Sequence, residues 1–118
     1  MSALAPDLLQ RMGAEVITIN ANPSGTNINE NCGALHPEQV CELVRLHEAD
    51  MGIALDGDAD RAILVDDAGD VVNGDVTLGI LAKDRLATAR LRRKTLVATV
   101  MSNLGLEVAL REMGAKLV

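Results

Sequence analysis

Apolar residues along this chain follow two rhythms, one of about three and a half residues and one of short unbroken runs. Ala5, Leu8, Leu9 and Met12 recur at helical spacing, with Pro6 suited to a first turn and Gly13 to a stop. Glu15–Asn20 is rich in β-branched residues and predicts a strand. Asn22–Asn27 reads as a loop, with Ser24 as a turn residue inside it. Pro37 opens a second helix, in which Val40, Leu43, Val44 and His47 share one face. Met51–Leu55 and Ala62–Asp66 are apolar runs of strand length, and the short link between them makes an antiparallel hairpin. After a turn at Asp67–Asp70 come a brief Val71–Val72 and a second turn at Asn73-Gly74. Asp75 is then the expected cap of a helix running to about Arg90. Its Val76, Leu78, Ile80, Leu81 and Leu86 spread around the wheel, as in a helix covered on more than one side. Thr95–Val100 predicts another strand. Leu106, Ala109, Leu110 and Met113 form a helical stripe, with Asn103 as its cap and Gly114 as its end, and Lys116–Val118 begins a strand. Helices alternating with strands predict an α/β fold. We expect helix/sheet/helix layers around a mixed, mostly parallel sheet, plus the one antiparallel hairpin.

Composition narrows the classes. The 118 residues are 48% hydrophobic, enough for a sizeable core, yet there is no Phe, Tyr or Trp, so that core is aliphatic. A net charge of −6 argues against a nucleic-acid partner. No apolar run has the length of a membrane span, and Met1–Ala5 lacks the basic region and length of a signal peptide. Cys32 and Cys41 make no disulfide framework, and free thiols point to the cytoplasm. Cys32, His36, Cys41 and His47 match no zinc spacing. The basic run Arg90–Lys94 reads as a solvated loop at a helix C-terminus, where the dipole favours cations.

The candidate chemistry lies in the hairpin tip, Asp56-Gly57-Asp58-Ala59-Asp60-Arg61. Three carboxylates in so short a span repel one another, and a hard divalent cation relieves that repulsion. Oxygen donors on a short loop suit Mg²⁺ or Ca²⁺ better than zinc. Arg61 beside them suits a phosphate, although an ion pair to a neighbouring Asp is the simpler use of it. An EF-hand loop is excluded, because its sixth and twelfth positions would be Arg61 and Asp67 rather than Gly and Glu. A haloacid-dehalogenase-type loop would usually carry Thr or Val where Asp60 stands.

Gly52–Arg61 resembles the metal loop of the α-D-phosphohexomutases. Asn27–Gly33, His36-Pro37-Glu38 and Thr99–Glu107 are similar to the phosphoglucosamine mutase branch of that superfamily. The resemblance implies three similar α/β domains and a different fourth. Residues 1–68 resemble most of the second domain, without its first strand, and residues 69–118 resemble the start of the third. It implies Mg²⁺ on Asp56, Asp58 and Asp60, and a phosphate contact from Arg61. It also implies a sugar-phosphate substrate: glucosamine 6-phosphate and glucosamine 1-phosphate exchange a phosphoryl group through a phosphoserine. The family's serine loop is not in these residues, so the chain alone is expected not to turn over. Unpaired sheet edges lead us to expect self-association, unless the two part-domains merge into one compact unit. Two other readings stand beside this one. The first is a phosphomannomutase or phosphoglucomutase segment; the second is a non-catalytic α/β module that binds a divalent ion.

Overall fold

A computed structural model describes residues 2–118, which form two compact units that meet in sequence between Val71 and Val72. Among these residues no helix is long and apolar enough to cross a membrane.

The first unit begins with helix α1, Leu4–Arg11, and an i,i+4 ion pair from Arg11 Nε to Asp7 Oδ2 at 2.9 Å lies on its surface. Glu15–Asn20 forms no strand, because no ladder of the structure includes it; Ile17 and Ile19 are left exposed. A strand is defined by its partner, and β-branched composition alone supplies none. Helix α2, Glu38–His47, starts at Pro37 and turns Val44 into the core, with Val40 and Leu43 half-buried and His47 exposed. The hairpin follows as expected. Strand β1, Gly52–Leu55, pairs antiparallel with β2, Ala62–Val65, in the register Gly52↔Val65 to Leu55↔Ala62. Val44, Ala54 and Val65 are the buried apolar residues among those described in this unit. Gly52 lets α2 lie close on the hairpin: a Cβ there would stand 2.4 Å from Val40 Cγ1 and 2.8 Å from Val44 Cγ2. A two-residue strand β3, Val71–Val72, borders β2.

Arg45 on α2 ties down the turn after β2. It donates from Nε to Ala68 O at 2.9 Å and from Nη2 to Gly69 O at 2.7 Å, and it pairs with Asp70 at 3.2 Å. Inside that turn Asp66 Oδ1 accepts from the N–H groups of Ala68 and Asp70. The far end of α2 is less well matched. Glu48 closes the helix in the left-handed region, at φ 50°, where glycine is the usual choice. Glu48→Gly should therefore raise stability by about 0.5–1 kcal/mol, after the greater flexibility of an unfolded glycine is subtracted. Thermal melting followed by far-ultraviolet circular dichroism reads it; a lower midpoint would contradict the assignment.

The second unit holds helix α3, Gly74–Ala87, strand β4, Thr95–Leu96, helix α4, Leu104–Glu112, and strand β5, Lys116–Leu117. β4 and β5 run parallel, and the pairing continues in the bond from Ala98 N–H to Val118 O at 2.9 Å. Ala82, Leu106, Leu110 and Ala115 form the core, with Leu78, Leu86, Leu96 and Met113 packed around it. The stripe on α4 thus does what its spacing predicts. Helix α3 differs from expectation: Ala82 is buried, but Val76, Ile80 and Leu81 are about half-exposed, so only one side is covered within the unit. Asn73, not Asp75, caps α3, accepting from Val76 N–H at 3.0 Å. Asp75 instead accepts from the N–H of Asn103, which itself caps α4 through Leu106 N–H. One carboxylate in this way links the starts of two helices. The chain is α/β throughout, in two small separate sheets rather than one mixed, mostly parallel sheet.

Candidate active site at the hairpin tip

The tip Asp56–Arg61 is held by both strands of the hairpin. Asp56 N–H donates to Arg61 O at 3.3 Å, and Ala59 N–H donates to Asp56 O at 3.0 Å. Ala59 takes a left-handed conformation, φ 55°, so the chain reverses between Asp58 and Asp60.

Asp56 is the one buried charged residue among those described, only 6% exposed. A buried carboxylate needs a partner, and Arg61 supplies it. Its Nε donates to Asp56 Oδ2 at 2.9 Å, and its backbone N–H lies 3.3 Å from Oδ1. Arg61 Nε also lies 3.7 Å from Asp60 Oδ1. Burial works to raise the Asp56 carboxyl, but the Arg61 side-chain and backbone hydrogen bonds outweigh it and hold Asp56 below the ordinary carboxylate value. Asp60 moves the other way, raised first by its hydrogen bond to Asp56 and then by the charge of Asp56. The two carboxyls act as a pair in which Asp60 keeps its proton longer.

The structure therefore gathers Asp56, Asp60 and Arg61, and leaves Asp58 exposed at the tip. Among the described residues no three His, Cys, Asp or Glu side chains stand close enough to share an ion. The donors fit a hard divalent cation in kind: all are carboxylate oxygens, and two already converge on a positive charge. Cys32 and Cys41 are free thiols. Ser24 Oγ lies 3.2 Å from Thr26 Oγ1 and accepts from Thr26 N–H, as a turn residue does.

Sequence reasoning missed the support behind this loop. Residues 27–33 pack against it. Asn29 Oδ1 accepts from Gly57 N–H at 2.8 Å. A Cβ on Gly57 would stand 2.3 Å from Ile28 Cγ1, and a Cβ on Gly33 would stand 2.8 Å from Leu55 O and 3.4 Å from Asp56 Cα. The available signal was Gly57 itself, a residue with no side chain set between two carboxylates. An open polar cavity of about 390 Å³ lies on the same segment, lined by Asn20, Asn22, Asn27, Glu30, Asn31 and Cys32. It includes none of the hairpin carboxylates, so we place the chemistry at the tip.

Comparison with known proteins gives the family. Residues 1–69 match the family described as phosphoglucomutase/phosphomannomutase, alpha/beta/alpha domain II, and residues 73–118 match its alpha/beta/alpha domain III. A phosphoglucosamine mutase of Bifidobacterium longum (strain DJO10A) is 53% identical over 117 residues, 99% of this chain and 25% of its own length. One from Geotalea daltonii is 52% identical over 115 residues, 98% of this chain and 25% of its own length. A crystal structure of a phosphoglucomutase/phosphomannomutase family protein from Burkholderia thailandensis superposes with a TM-score of 0.82 at 24% identity, covering 99% of this chain and 26% of that one. That likeness speaks to the fold. The chain spans about a quarter of the length of the curated relatives it matches.

Proposed function

The chain belongs to the phosphoglucomutase/phosphomannomutase family, and from that premise we propose that it is a segment of a phosphoglucosamine mutase. The reaction is the interconversion of glucosamine 6-phosphate and glucosamine 1-phosphate by phosphoryl exchange through a phosphoserine. Identity to the phosphoglucosamine mutases of Bifidobacterium and Geotalea supports the sugar over the phosphomannomutase and phosphoglucomutase readings. The protein acts in the cytoplasm on a sugar phosphate, and its two units are parts of domains II and III, with the boundary near Gly69. In the whole enzyme the short strands extend into mixed sheets layered between helices.

The observation that carries the site is the buried Asp56 at a rigid hairpin tip. Asp56, Asp58 and Asp60 would hold Mg²⁺, Asp58 by turning in from its exposed position at the tip. Such an ion supplies Lewis-acid charge to a transferring phosphoryl group. The residues of the chain do the positioning. The last strand pair, Leu55↔Ala62, places Asp56 and Arg61 face to face just beyond the two strand ends, where Asp56 N–H donates to Arg61 O. Arg61 holds Asp56 ionised, and both of its contacts run through Nε. Its side chain is 56% exposed, which leaves part of the guanidinium fork for phosphate oxygens.

Titration of this chain with Mg²⁺, by calorimetry or NMR, tests the site. Asp58→Asn should bind at least ~10-fold more weakly, because affinity follows the number of charged ligands. Equal affinity in the two proteins would sink the metal assignment.

A further inference from the structure

The bond from Gly57 N–H to Asn29 Oδ1 joins the carboxylate loop to a segment 28 residues earlier. Asn29 sits in the left-handed region at φ 56°, which asparagine tolerates better than most residues. Gly33 makes room for its amide, and Gly57 makes room for the neighbouring Ile28. At Gly33 a Cβ would stand 3.3 Å from Asn29 Oδ1, tighter than ordinary contact, and at Gly57 the same atom would meet Ile28 head on. The 28–29 segment therefore lies close on the loop because Gly33 and Gly57 carry no side chains.

We infer that Asn29 is a positioning residue for the Asp56–Asp60 loop. The inference rests on reading that loop as a cation site. The peptide N–H of Gly57 lies between Asp56 and Asp58. Left free, it could turn and donate to one of those carboxylates, taking an oxygen away from an ion. Bonded to Asn29, it is satisfied from behind. The acceptor is a neutral amide, so the loop is fixed without a fourth negative charge being added to three. Preorganisation of this kind lowers the cost of gathering like-charged ligands when the ion arrives.

The test compares the wild-type chain with Asn29→Gly, Asn29→Ala and Asn29→Asp. Glycine keeps the left-handed backbone free of strain, so Asn29→Gly removes the bond alone; Asn29→Ala is the second truncation should the glycine loosen the segment. Mg²⁺ affinity is measured by titration, and the Gly57 amide is followed by NMR shift and hydrogen exchange with and without Mg²⁺. Loss of the bond should speed Gly57 exchange and weaken Mg²⁺ binding about tenfold, the size expected for groups that orient ligands. Asn29→Asp keeps an acceptor, so the slow Gly57 exchange should return. Faster exchange with unchanged affinity would overturn the inference, as would no change in either. A wild-type chain that binds no Mg²⁺ would overturn the metal reading, and the inference with it.

Discussion

Leu110→Ala should unfold the second unit while the first keeps its structure. Leu110 is fully buried, and its neighbours in the core are Ala82, Leu106 and Ala115, two of them already small. There is no aromatic residue in the chain to fill the space left behind. Truncation of a buried leucine costs about 2–5 kcal/mol, with the larger values where the surroundings collapse least. Residues 72–118 can hold only about 2–7 kcal/mol, at roughly 0.05–0.15 kcal/mol per residue. The loss is comparable with the whole. Two-dimensional NMR should show amides from 72–118 collapsing to unfolded shifts. Those of the hairpin should stay dispersed on their own core of Val44, Ala54 and Val65. Leu110→Met nearly conserves volume and should cost less than about 1.5 kcal/mol. A Leu110→Ala chain that melts in one transition across all residues would show that the two units share their stability.

Which features were legible in the sequence follows from the range of the interactions that make them. The α4 stripe is local: residues three and four apart fall on one face, and Leu106 and Leu110 are buried as their spacing predicts. The hairpin was legible for the same reason, since the link Asp56–Arg61 is too short for any other connection. Glu15–Asn20 was not, because strand formation depends on a neighbour that its own residues do not encode. The cap of α3 was a choice between Asn73 and Asp75, two residues apart and both able to accept; Asp75 is taken up by Asn103, far along the chain. At the site, the carboxylates and Arg61 are contiguous and could be read directly. Asn29 and Gly33 could not, because Asn29 acts on a residue 28 positions away and Gly33 through a close approach to the distant backbone of Leu55.

That close approach gives the other large expected effect, in Gly33→Ala. Gly33 has φ +80°, and an L-residue there costs about 1–2 kcal/mol in backbone strain. The added methyl would also stand 2.8 Å from Leu55 O. A carbonyl oxygen in a strand ladder cannot swing aside as a side chain would, so the 27–33 segment must lift or the hairpin must bend. Crowding of this kind costs a further ~1–3 kcal/mol. Together the two terms predict a loss of about 3 kcal/mol from the first unit. With no Trp or Tyr to report by fluorescence, urea unfolding followed by circular dichroism is the direct measurement. The displacement begins at Leu55 and Asp56 Cα, the entry to the carboxylate loop, so Mg²⁺ affinity should fall together with stability. A purely local strain would leave Mg²⁺ affinity untouched once the folded fraction is taken into account. Gly13→Ala separates the contributions: Gly13 has φ +95° but nothing within 4 Å of its would-be Cβ. That variant carries the backbone cost without the clash, far from the hairpin in sequence. It should lose only the smaller amount and bind Mg²⁺ as the wild type does. Equal losses in the two variants would mean that the contact with Leu55 O adds nothing, and that the 27–33 segment does not hold the hairpin tip in place.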